Sequence, residues 1–155
     1  MEKNIKTFDD KTAWLAFRRE IITASDVASI LSEKHDIEAY RTALDVYTDK
    51  MRGLTMQDND ALMLGRCLED GIARAYAEKT GYPVEDTGNY TIFMHPKIPW
   101  LGATLDRIVE VDGKKMPLEI KNVGLWNAHK WAGEDIPLFV QVQLQIQIAC
   151  FGSDR

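Results

Sequence analysis

Apolar residues recur at helical spacing along the first half of the chain and at a spacing of two along much of the second. Trp14, Leu15 and Phe17 mark a first helix that Asp10 or Thr12 can cap. A break at Ile21-Ile22-Thr23 precedes a second helix through Val27, Ile30 and Leu31, with Thr23 or Ser25 as its cap. Residues 34–40 read as a loop, and Ala43, Leu44, Val46 and Tyr47 as a short third helix. The clearest helix covers 58–81. There Leu62, Gly65, Leu68, Ile72, Ala75 and Tyr76 keep the helical period, and Gly81 supplies the stop. Arg66, Asp70 and Arg74 form a charged stripe on its other face.

Beyond Pro83 the pattern predicts strands over 88–94, 103–111 and 115–123, with a Pro-containing loop at 95–99. Asp112-Gly113 joins the last two strands, and both residues tolerate the positive φ of a type I′ hairpin turn. From 137 to 147 apolar residues and glutamines alternate. That is a strand's period, yet Pro137 fits a helix start, and the pattern alone leaves both open.

Composition narrows the class. The 155 residues, 45% of them hydrophobic, fit one domain with one core, and no repeat, linker or low-complexity run divides them. No apolar run approaches the roughly 20 residues that cross a bilayer, and Met1-Glu2-Lys3-Asn4 lacks a secretion signal's pattern. Cys67 and Cys150 stand far apart, against a disulfide scaffold or a zinc or iron–sulfur site and for a reducing cytoplasm. Cys67 is expected to be a small buried residue. The net charge of −5 excludes a generally basic nucleic-acid coat but leaves room for a local basic groove. His35, His95 and His129 lack ligand spacing and read as surface or loop residues. Trp14, Trp100, Trp126 and Trp131 read as packing residues, with Trp126 and Trp131, near His129 and Lys130, the ones to test for nucleic-acid contact.

The hairpin locates the chemistry. If Asp112 and Gly113 are the turn, Val111 faces Lys114, and five further steps set Asp106 opposite Glu119. Lys121 then projects from the same face as Glu119. Facing carboxylates repel, and a divalent cation with hard oxygen ligands is the natural compensation. Glu69 lies within the apolar arc of the long helix, where a carboxylate needs a partner, and a third acid would complete a metal site.

These residues carry a resemblance. Asp106, the Glu119-Ile120-Lys121 triplet and helical Glu69 resemble the catalytic pattern of the PD-(D/E)XK nucleases, specifically the YqaJ-type viral recombinase and phage lambda exonuclease branch. The supporting segments stand in the family's order: 14–18, 22–27, 65–69, Asp106, 119–121 and Gln141-Val142-Gln143. The match spans roughly residues 14–147. It implies an α/β (α+β) restriction-endonuclease-like core, a central mixed sheet with an antiparallel hairpin flanked by helices. Asp106, Glu119 and the Ile120 carbonyl then resemble the ligands of Mg²⁺ or Mn²⁺, with Glu69 serving a second ion. Lys121 resembles the residue that positions the attacking water. Gln141 matches the glutamine lining the site from a following helix, which favours helix for the alternating segment. Arg18 and Ser25 match the pair that grips a 5′-terminal phosphate.

The implied function is a metal-dependent exonuclease that degrades duplex DNA from its 5′ end for recombination in a bacterial or phage-infected cell. A single-strand annealing recombinase is the implied partner, and a homo-oligomer, a trimer by family analogy, the implied assembly. Arg18, Arg19, Arg107, Lys121 and Lys130 would supply the remaining pull on DNA. Two departures stand out. Many relatives carry Ser-Pro-Asp-Gly around the strand aspartate, here Ala103-Thr104-Leu105-Asp106-Arg107, and relatives often continue past the point where this chain stops, Arg155. They motivate a rival reading: a nuclease-fold protein that binds DNA ends or a recombinase partner without cleaving.

Overall fold

The computed structural model describes residues 4–53, 59–124, 128, 131 and 135–152, so Trp126, His129 and Lys130 lie outside the described residues. Its first four helices begin where side chains take up backbone N–H groups that a helix start leaves unpaired. After strand β1 (Ile5–Thr7), Asp10 accepts from the Ala13 N–H at 2.9 Å and opens α1 (Lys11–Glu20). Strand β2 (Ile22–Thr23) runs directly into α2 (Ala24–His35), where Asp26 accepts from the Thr23 N–H at 2.9 Å. Thr42 and Asp45 form a second capping box at α3 (Ala43–Arg52). Asn59 accepts from the Leu62 N–H at 2.9 Å to start α4 (Asp60–Thr80), which ends at Gly81 with φ 73°.

The strands form two ladders. In the mixed sheet β1 pairs antiparallel with β4 (Thr91–Met94), β4 antiparallel with β5 (Leu101–Ala103), and β5 parallel with β2. The second sheet is antiparallel, with β6 (Arg107–Val111) between β3 (Val84–Asp86) and β7 (Lys114–Leu118). The strand expected over 103–111 is therefore broken. Residues 104–106 carry the chain from one sheet to the other, and Asp106 sits at that switch. The strand expected from Gly88 starts at Thr91, because Gly88 (φ 78°) and Tyr90 (φ 61°) turn the backbone first. The third expected strand stops at Leu118, one residue before Glu119.

Residues 138–151 form helix α5 (Leu138–Phe151). Wound as a helix, the alternating sequence is apolar on nearly every side, which suits a helix packed on two fronts. Phe139 and Val140 bury against Ala28 of α2, while Cys150 and Phe151 pack with Phe93, Leu101 and Ala103 of the sheet. Gly102 is needed in β5, since a Cβ there would lie 2.9 Å from Ile21 Cδ1 and 3.0 Å from Ile92 Cγ2. By contrast, α4 buries only Ala73, and its expected apolar stripe is largely open, with Leu62 44% and Leu68 41% exposed. Cys67, also on α4, is exposed rather than buried. Trp14 packs against Ile21, Ile92 and Met94, Trp131 packs against the α2–α5 cluster, and Trp100 is exposed. Among the described residues no helix is long and apolar enough to cross a membrane.

Candidate active site

The Asp112-Gly113 turn has φ values of 52° and 74°, and it holds the register in which Val111 faces Lys114 and Arg107 faces Leu118. One step further Asp106 and Glu119 leave the ladder together. Asp106 Oδ2 accepts from the Ile120 N–H at 2.7 Å, which replaces the missing ladder bond and ties the two segments. Burial and the neighbouring Glu119 carboxylate push the Asp106 carboxyl up to about 7; Glu69 adds to the rise, while Ile120 and Lys121 oppose it.

Glu119 has more donors. Its side chain is only 5% exposed and pairs with the Lys121 ammonium. Gln143 Nε2 donates to Oε1 at 2.7 Å, and Gln147 Nε2 to Oε2 at 2.5 Å. Gln147 Nε2 also donates to the Thr104 carbonyl at 3.2 Å, and Lys121 Nζ to Gln143 Oε1 at 3.2 Å. Gln141, the glutamine expected to line the site, is not among these donors. Gln141 is exposed and donates to the Ile136 carbonyl at 2.5 Å, because on a helix it points away from the face shared by residues 143 and 147. The pair at i and i+4 on a helix is the signal that would have found Gln143 and Gln147.

Glu69 approaches from α4, near enough for its charge to act on Asp106, but its Oε1 is held by Arg107 Nη1 at 2.6 Å. Arg107 also reaches Asp70 and the Asp106 carbonyl. It is therefore committed internally rather than offered to DNA. Among the described residues no group of three or more His, Cys, Asp or Glu side chains is already gathered to hold an ion. The donors nonetheless fit a divalent cation: hard oxygens, two of them on carboxylates whose mutual repulsion a cation would relieve.

Arg18 and Ser25 occupy neighbouring clefts rather than one. Ser25 lines a cleft of about 360 Å³ with Lys121, Gln143 and Tyr40. Arg18 lines one of about 340 Å³ with Arg19, Lys50, Asp26 and Asp49, and Arg41 and Leu62 border both. Burial lowers the Arg18 pKa despite Asp26 and Asp49, and its guanidinium lies 4.5 Å from the Trp14 ring centre. Lys50 binds buried Asp26 at 2.7 Å. Arg41 and Lys50 were not legible as site residues, because their meeting with Arg18 depends on how α1, α2 and α3 pack.

A model of the YqaJ-like viral recombinase domain matches residues 13–154. The chain belongs to this family. A crystal structure of LHK-Exo, an alkaline exonuclease from Laribacter hongkongensis, is similar with a TM-score of 0.60 and 27% identity, covering 92% of this chain and 69% of that one. The structure of LHK-Exo in complex with dAMP gives a TM-score of 0.63 at 24% identity, covering 92% and 70%. No match is found among curated proteins. YqaJ-like membership and the exonuclease likeness support a nuclease role in recombination, on a restriction-endonuclease-like fold.

The Asp106 shift has a measurable consequence. Its carboxyl moves from 3.8 to about 7 on folding, so between these values the folded state holds a proton that the unfolded state has lost. This group's contribution should fall by up to about 1.4 kcal/mol per pH unit as pH rises from about 4 to 7, and level off above. Denaturant unfolding in chelator at pH 5.5 and 7.5 checks it. The wild type should lose more stability than Asp106→Asn across that interval; equal losses would exclude the shift.

Proposed function

We propose that this chain is a divalent-metal-dependent exonuclease that hydrolyses phosphodiester bonds from the 5′ end of duplex DNA in recombination. The observation that carries the reading is Asp106 and Glu119 side by side at the open end of the hairpin, with Lys121 on Glu119. Their two carboxylates and the Ile120 carbonyl would hold Mg²⁺ or Mn²⁺, and Glu69 would add a donor for a second ion. A divalent ion held there would supply a more acidic water and charge stabilisation for the reacting oxygens.

The chain's own groups do the rest. Lys121, fixed between Glu119 and Gln143, orients the water and meets charge growing on the phosphoryl oxygens. Gln143 and Gln147 keep the Glu119 carboxylate aligned. Arg18 offers a two-pronged donor for the 5′-terminal phosphate, and Ser25 adds a hydroxyl on the side nearer Lys121. In this reading residues 1–155 act as one nuclease domain inside the cell and pass single strands to an annealing recombinase.

The test compares 5′-phosphorylated linear duplex, 5′-hydroxyl linear duplex and closed circular DNA, each with Mg²⁺ or Mn²⁺. Nucleotides should appear fastest from the phosphorylated ends and not at all from circles. Intact linear duplex under every metal would remove the enzyme reading and leave a DNA-end-binding protein. Cut circles would make the chain an endonuclease.

A further inference from the structure

Arg107 is 8% exposed, an unusual position for an arginine, and its guanidinium meets Glu69, Asp70 and the Asp106 carbonyl. One guanidinium nitrogen takes Glu69 Oε1 at 2.6 Å and the Asp106 carbonyl; another takes Asp70. It therefore joins the start of β6, beside Asp106, to the helix bearing Glu69. Ala73 is the one buried residue of α4, so core packing alone holds that helix weakly. The fork is the described contact that acts on Glu69 itself. Glu69 Oε2 makes no hydrogen bond among the described residues, and Arg107 leaves it as the oxygen for another partner.

We propose that Arg107 is a positioning residue: it anchors α4 through Glu69 and presents that carboxylate to a divalent ion shared with Asp106. The inference rests on the metal-dependent reading above. A side chain that only braced the fold would stabilise α4 without concern for which acid it touched. A positioning arginine acts through Glu69, and its loss should matter only while Glu69 is present.

The experiment measures Mn²⁺ binding by the paramagnetic signal of the free ion, with thermal unfolding alongside. Relative to wild type, Arg107→Ala should raise the Mn²⁺ Kd about 10- to 100-fold, as loss of a ligand's hydrogen-bond partner does. Arg107→Lys should fall between the two, and it serves in place of Arg107→Ala if the latter does not fold. Asp70→Asn, which removes a pair exposed on the acid's side, should change the Kd less than about twofold. In a Glu69→Gln background, the Arg107 change should add less than about twofold. Unchanged Kd in both Arg107 variants, or losses that multiply with Glu69→Gln, would overturn the proposal. Asp106→Asn separates the two levels. Wild-type affinity in that variant would overturn the metal reading itself and this inference with it, whereas lost affinity there with intact Arg107 variants overturns the inference alone.

Discussion

Glu119→Ala should lower kcat for DNA hydrolysis by about 10³-fold or more, with Mn²⁺ binding lost as well. The size follows from what the carboxylate does. It is one of the two acids that meet at the open end of the hairpin, it holds Lys121, and it is the shared acceptor of Gln143 and Gln147. Two opposing effects act on the fold. Buried amide donors lose their acceptor, at about 1–3 kcal/mol for each group left unpaired. Against this, Asp106 loses the neighbour that contributes to its raised pKa, so its ionised form becomes easier to keep. The metal-free variant should therefore unfold within a few degrees of wild type while hydrolysing almost nothing. Initial rates on end-labelled duplex and a thermal melt check both halves. Activity near wild type would remove Glu119 from the site.

Lys121→Ala should behave differently, which makes it the more diagnostic change. A positioned water-orienting ammonium is worth about 10²- to 10⁴-fold in rate, so kcat should fall by that order with KM nearly unchanged. Metal affinity should hold or improve, because the lysine is a positive charge beside the carboxylates that would receive a cation. Steady-state kinetics and Mn²⁺ titration of the same preparation separate the roles. A Lys121→Ala protein that loses metal and rate together would make the lysine a brace for Glu119. Arginine should rescue poorly, since its planar fork cannot place a single point charge between Glu119 and Gln143.

The hairpin was readable because a two-residue turn sets its register without help from elsewhere. Asp112-Gly113 decides the pairing, and the pairing decides that Asp106 and Glu119 travel together. Helix boundaries at Asp10, Thr23 and Gly81 were readable for a similar reason, since capping is local chemistry. What escaped was tertiary. The alternating glutamine segment carries a strand's period, and only its two-sided burial explains a helix. Without the helix, Gln141 and Gln143 are indistinguishable neighbours; with it they lie on opposite faces. The break at 104–106 follows from β5 and β6 belonging to different sheets, which no local pattern in Ala103–Val111 announces. Arg107 read as a free charge for DNA because its two acids lie 38 and 37 residues away.

The sparse anchoring of α4 has a mechanical side. Twenty-one residues make a rod about 32 Å long, and the contacts described above, at Glu69, Asp70 and Ala73, fall near the middle. A rod pinned only there would rock like a seesaw. A tilt of about 5° would swing either tip by about 1.4 Å, while Glu69, about 6 Å or less from the pivot, would shift by about 0.5 Å or less. On that geometry the exposed end carrying Leu62, Met63 and Leu64 would move most, and the acid beside the fulcrum least.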